Sequence, residues 1–435
     1  MLKKVMVSVL LLALITALSA CSEETALPLE RHTPMPQEKN MYTTRQTKLY
    51  KEPGGEELAT IRQGESVVAY EPLDGWSKVI YQSQTGYLES ANLTREKPDS
   101  LQVRAQEILA QMTMEEKVGQ MFFVRCNAKT ALEDIKRFHL GGYILFAADT
   151  QHETKESLTK KIKSYQDAAK IDMLIGVDEE GGTVTRLSTY KQFRAVSFHS
   201  PQSLYTEGGF PLIQSDTKEK CELLRQLGFN VNLAPVADVS VNKSDFIYPR
   251  TFGKNAAQTA EYVKTVVEVM NEQTMGAALK HFPGYGNNVD THTGIAIDNR
   301  EYASFQKSDF LPFESGIEAG VGSILVSHNI VNCMDPELPA SLSPRVHQIL
   351  RNELGFEGII MTDDLAMDAI HKYIGDSVSA ELAIEAGNDL ILASDYASQI
   401  PSVIESVKSG KISESRLDES VLRILMWKLK LNIIS

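Results

Sequence analysis

Met173-Leu174-Ile175-Gly176-Val177-Asp178-Glu179-Glu180-Gly181-Gly182 is the stretch on which the fold turns. Its first five residues are apolar or small, with no alternation of polar and apolar positions. A strand of that kind is buried on both faces, as parallel strands under helices must be. It then breaks into three acids and two glycines, so polar side chains sit where the strand ends. The same grammar recurs outward in both directions. Apolar runs of strand length lie at residues 118–124, 142–146, 231–236, 277–282, 323–327, 358–362 and 389–393. Amphipathic helical stretches separate them, such as 256–273 and 378–386. About eight strand–helix units between 101 and 435 predict an α/β architecture, a (β/α)8 barrel with inserted loops. An open doubly wound sheet is the alternative. The first strand has no glycine-rich phosphate loop after it, which weakens a dinucleotide-binding reading.

In such a barrel the C-terminal strand ends are the default active-site positions. Here they carry Asp178-Glu179-Glu180 with Arg186 after it, Tyr248-Pro249-Arg250 in the loop after the fourth strand, Lys280-His281-Phe282-Pro283-Gly284, Ser327-His328-Asn329 and Thr362-Asp363-Asp364. One carboxylate at a strand end reads as a helix cap or surface ion pair. Five ends bearing acids, bases and hydroxyl-binding groups together read as a site for a polar substrate.

These motifs, with Met112-Thr113-Met114-Glu115-Glu116-Lys117-Val118-Gly119-Gln120-Met121, Gly141-Gly142-Tyr143-Ile144-Leu145-Phe146 and Arg250-Thr251-Phe252-Gly253, resemble glycoside hydrolase family three in content and order across 101–435. The β-N-acetylglucosaminidase (β-N-acetylhexosaminidase) branch is the most similar. The resemblance implies a retaining exo-glycosidase that removes terminal β-linked N-acetylglucosamine from cell-wall fragments or related glycans. It implies Asp363 as nucleophile, His292 as general acid/base and Asp290 as its partner. Residues i and i+2 of an extended segment point the same way, so Asp290 can orient one imidazole nitrogen and raise the basicity of the other. Asp363 and Asp364 are adjacent, and strand alternation lets only one face the sugar; the motif selects Asp363. Asp178, Arg186, Arg250, Lys280 and His281 are the implied sugar contacts. An ion pair between Asp178 and Arg186 is the structural alternative. The usual second His of the Lys-His-Phe-Pro-Gly-His-Gly motif is Tyr285 here.

A β-N-acetylglucosaminide phosphorylase and a family-three β-glucosidase are the competing enzyme readings. A catalytically dead wall-binding lipoprotein is the non-enzymatic one. Glucosidases of the family draw an acid from a second α/β domain; none follows the barrel here, which favours the Asp–His arrangement.

Ahead of the barrel, Lys3 and Lys4 precede an apolar run that ends in Leu18-Ser19-Ala20-Cys21. The pattern predicts a lipoprotein signal over 1–20, with Cys21 lipidated and the protein held to the outer face of a bacterial membrane. Residues 21–40 read as a flexible tether. Residues 41–94 read as a small all-β barrel resembling bacterial SH3-like domains, with possible roles as a wall-binding module or a spacer. Residues 95–100 read as a linker.

The chain has 435 residues and a formal net charge of −13. An acidic surface argues against nucleic acid as a partner. Cys126, Cys221 and Cys333 are too scattered for a disulfide framework or zinc site. Cys126 and Cys333 lie beside apolar stretches and are expected in the core. No cofactor and no metal is expected.

Overall fold

The structure, a computed structural model, describes residues 38–288, 296–367 and 379–435. The chain divides into two units between Lys97 and Pro98.

The first unit is a seven-stranded antiparallel sheet. Its strands are β1 (Lys39–Thr43), β2 (Thr47–Tyr50), β3 (Glu57–Ile61), β4 (Ser66–Ala69), β5 (Trp76–Tyr81), β6 (Gln84–Glu89) and β7 (Leu93–Thr94). They are ordered β3-β2-β6-β5-β4-β1-β7. Leu49, Ile61, Val67, Ala69, Val79 and Leu88 alternate inward to form its core. So small a core is what limits the stability of an isolated sheet of this size.

The second unit holds β8 (Phe122–Arg125), β9 (Gly142–Ile144), β10 (Leu174–Val177), β11 (Val231–Asn232), β12 (Gly276–Phe282), β13 (Ile297–Asp298), β14 (Ser323–Val326), β15 (Ile330–Val331), β16 (Ile359–Thr362) and β17 (Ile391–Ala393). Eight of them form one parallel sheet in the order β16-β14-β12-β11-β10-β9-β8-β17. A parallel bridge between Met361 and Leu390 joins its two ends, so the sheet rolls into a (β/α)8 barrel. All eight expected strands are present. The first is shorter than its apolar run, because 118–120 belong to the helix Met114–Gln120. That helix is nucleated by a reciprocal Thr113–Glu116 capping box, and the cap overrides the strand-like composition.

The barrel interior is packed with side chains. Phe123 fills the space beside Gly142 and Gly176: a Cβ on either glycine would lie 2.6 Å or less from its ring. Burying a side chain of this size contributes about 1.5–3 kcal/mol. The C-terminal helix Glu414–Lys430 closes the N-terminal end of the barrel, with Trp427 packed against Gly276 and Gly322 at the starts of two strands. Cys126 and Cys221 are buried, whereas Cys333 is exposed. The expectation of a core Cys333 is therefore corrected: it follows β15 in a turn whose inward position goes to Met334.

Candidate active site

The three acids after β10 have three different tasks. Glu179 is fully buried and turns back on its own loop. It accepts the backbone N–H groups of Arg186 (2.8 Å), Leu187 (2.9 Å) and Ser188 (3.2 Å), and the Ser188 hydroxyl. It braces the loop that carries Arg186. Glu180 points the other way. Its Oε1 lies 2.6 Å from Lys280 Nζ and 2.7 Å from Arg250 Nη2, and its Oε2 accepts from Arg250 Nε at 3.1 Å. Asp178 Oδ1 accepts from the same Lys280 ammonium at 2.7 Å. Two carboxylates and two cations thus form one compensated circuit at the ends of β10, β12 and the loop after β11.

Only 3% of the Lys280 side chain and 4% of the Glu180 side chain is exposed, so the circuit works in low dielectric. Burial pushes the Glu180 carboxyl up, but Lys280 and Arg250 override it and hold it at about 2. Burial lowers Lys280, and Asp178 and Glu180 outweigh that to raise it above the ordinary lysine value. Glu180 and Lys280 therefore both stay charged across the physiological range.

His281 is oriented by a residue the sequence reading did not single out. Asp238, buried at the end of the fourth strand run, lies 2.8 Å from His281 Nδ1 and also accepts the backbone N–H groups of His281 (3.1 Å) and Tyr285 (2.7 Å). On the other side His281 Nε2 is 3.3 Å from Arg250 Nη2. A guanidinium only donates, so Nε2 is the acceptor and Nδ1 carries the proton toward Asp238. The Tyr285 ring stands edge-on to His281 with centroids 5.0 Å apart. Gly284 between them has φ +121°, and a Cβ there would lie 2.4 Å from Asp309 Oδ1, so only glycine lets this loop pass.

Asp363 follows directly on β16, and its Oδ1 accepts the Asp364 N–H at 2.9 Å. Asp364 is held by Ser394 (2.7 Å) and by the Ala366 N–H (3.0 Å). Its carbonyl lies 3.0 Å from His328 Nε2. Both aspartates line the same cavity, while the Asp364 carboxylate is taken up by Ser394 and its own loop. Alternation ends with the strand at Thr362, and partners rather than pleat distinguish the two carboxylates.

That cavity has a volume of about 430 Å³ and opens at the C-terminal end of the barrel. Asp178, Arg186, Arg250, Lys280, His281 and Asp363 all line it. The alternative of an Asp178–Arg186 ion pair is not what forms, since Asp178 pairs with Lys280. Arg186 Nε is buried without a partner among the described residues, and its Nη1 reaches only the Thr185 carbonyl at 3.4 Å. Cys21, Asp290 and His292 lie outside the described residues. On either side of 289–295, Asn288 Nδ2 donates to Asp298 Oδ2 at 2.6 Å and the Ala296 carbonyl accepts from Ile330 at 2.9 Å. Among the described residues no group of three or more His, Cys, Asp or Glu side chains is arranged to hold a metal ion.

Three contributors escaped the sequence reading: Asp238 as the partner of His281, and Arg125 and Phe146 on the cavity wall. Asp238 follows an apolar run, which was its available signal. Arg125 had none, since a lone arginine after a strand is ordinary.

Residues 113–427 match the family model "Glycosyl hydrolase family 3 N terminal domain". The chain is 33% identical over 280 residues to a β-hexosaminidase of Nitrosomonas eutropha, covering 61% of this chain and 78% of that protein. It is 31% identical over 262 residues to a β-hexosaminidase of Stenotrophomonas maltophilia, covering 58% and 76%. Among solved structures it resembles a family 3 β-N-acetylglucosaminidase from Paenibacillus at 31% identity and a TM-score of 0.70. That likeness covers 74% of this chain and 63% of the other. The barrel, its charged cavity and these likenesses agree: the chain belongs to glycosyl hydrolase family 3 and is a glycoside hydrolase of the β-hexosaminidase type.

Proposed function

We propose that the protein is a retaining exo-β-N-acetylglucosaminidase acting on cell-wall glycan fragments, with a covalent glycosyl-Asp363 intermediate. The observation that carries this reading is the placement of the Asp363 carboxylate in one cavity with Asp178, Arg250, Lys280 and His281. The compensated circuit offers acceptors and donors in fixed directions, which suits ring hydroxyls and an acetamido oxygen. Asp363 attacks the anomeric carbon as the bond to the leaving oxygen breaks; His292, oriented by Asp290, supplies the proton to that oxygen. Water, deprotonated by the same histidine, then attacks the anomeric carbon, breaks the ester to Asp363 and returns the anomeric configuration to β. These roles for His292 and Asp290 rest on the family motif.

We propose further that Cys21 is the lipidated first residue, holding the enzyme at the outer face of the cell membrane, and that the small β unit contacts the wall.

The test compares nitrophenyl β-N-acetylglucosaminide with the matching β-glucoside, and each with a disaccharide substrate. The N-acetylglucosaminide is the expected substrate. Asp363→Ala loses on the order of 10⁴-fold in kcat on every substrate. His292→Ala loses about 10²–10⁴-fold more on the disaccharide than on the nitrophenyl glycoside, whose leaving group departs without a proton. Equal losses on both substrates remove His292 from the acid/base role. Preference for the glucoside removes the substrate assignment.

A further inference from the structure

The cavity has two chemically different walls. On the β10–β12 side Lys280 is held by Asp178 and Glu180, and Arg250 by Glu180. On the β8–β9 side this balance is missing. Arg125 ends β8 and lines the cavity, and among the described residues no carboxylate reaches its guanidinium. Instead the guanidinium lies over the Phe146 ring, 4.4 Å from the centroid, and Phe146 lines the same wall. Arg186, the other arginine on the cavity without a carboxylate, has an unpartnered Nε.

Stacking uses the face of a guanidinium and leaves its rim of N–H donors free in the plane. That rim matches a carboxylate or phosphate in bidentate geometry. In the ring of strands β8 is separated from β16, which delivers Asp363, only by β17. The unbalanced wall therefore flanks the nucleophile on the side opposite the compensated circuit. If the circuit holds the sugar that is transferred, the Arg125 wall faces what lies beyond the cleaved bond.

We propose that Arg125, stacked on Phe146, is a specificity-determining residue that recognises an anionic group on the leaving-group side of the substrate. This rests on the hexosaminidase reading above, and an acidic substituent on the aglycone is the assigned source of the anion. A phosphate ion acting as acceptor shares the same chemistry and is separated from it by the test.

The experiment measures kcat/KM on two aryl β-N-acetylglucosaminides that differ only in a carboxylate placed on the ring, one neutral and one acidic. It is run at low and high salt, and with and without inorganic phosphate. The parent enzyme prefers the acidic aglycone, and high salt reduces the preference. Arg125→Ala loses about tenfold more on the acidic substrate than on the neutral one, mainly through KM. Arg125→Lys keeps part of the preference, because it retains the charge without the planar fork. No acidic preference in the parent, or equal change on both substrates in Arg125→Ala, overturns the proposal. A phosphate-dependent rate with N-acetylglucosamine 1-phosphate as product, lost in Arg125→Ala, assigns the anion to the acceptor and overturns the aglycone role. Turnover of the neutral substrate by the parent reports separately on the hexosaminidase reading: if it fails, the fault lies there and not with Arg125.

Discussion

Two fully buried lysines sit at opposite ends of the same barrel, and the protein treats them in opposite ways. Lys280, at the C-terminal end, touches two carboxylates and is held charged, above the ordinary lysine value. Lys428, on the helix Glu414–Lys430 that closes the N-terminal end, has among the described residues only the Gln120 side-chain oxygen, at 2.6 Å. Burial there pushes it down to about 7, outweighing the attraction of Asp172. The same side chain, buried in both places, is a fixed cation in one and titrates near neutral pH in the other. The difference teaches that burial alone does not set charge; the count of carboxylates in contact does. At the site end the desolvation cost is met by a network that polar substrates can use. At the far end it is left as a stability cost.

The largest effect is expected at Lys280. Lys280→Met leaves Glu180 and Asp178 short of a counter-charge in a buried setting, and is expected to cost about 3–5 kcal/mol in denaturant unfolding. It is also expected to abolish most activity. A variant within 1 kcal/mol of the parent would mean the circuit is not coupled as its distances imply.

The acid limb of stability is the next lever. Glu180 has a folded-state value of about 2, below its ordinary 4.5. Its stabilisation is fully present above pH 4.5 and is lost as pH falls toward 2. The loss is about 3 kcal/mol by linkage. Unfolding midpoints measured between pH 5 and 2 should fall more steeply in the parent than in Glu180→Gln.

Lys428 sharpens the comparison with the smallest effect and the opposite sign. Its folded-state value lies below the unfolded one, so the unfolded chain binds more protons between pH 7 and 10.5, and stability rises with pH across that window. Lys428→Met removes the buried ammonium but leaves Gln120 without its donor. A gain of about 1–2 kcal/mol at pH 7 is expected, with the alkaline rise abolished. A loss of stability at pH 7 would show that the ammonium is paired in solution.

Much of this was legible in the residues themselves. The eight barrel strands were readable because parallel strands under helices are apolar throughout, so their runs stand out, and a polar residue marks where each ends. Strand limits were less readable: 118–120 share the apolar character of β8 but were drawn into a helix by the Thr113 cap five residues upstream of Val118. The five candidate sugar contacts and Asp363, which the family resemblance implied, all line one cavity.

The barrel and the inventory of acids and bases on its rim are written in the chain, since periodicity and strand ends are local properties. Only the tertiary structure decided which acid serves which base. Asp178 pairs with Lys280, 102 residues away, rather than with Arg186, and Asp238 orients His281 across 43 residues. Glu179 and Glu180, neighbours in sequence, were assigned opposite tasks. Charge pairing falls off over a few ångströms while sequence separation carries no distance, so the closing of the barrel had to choose the partners.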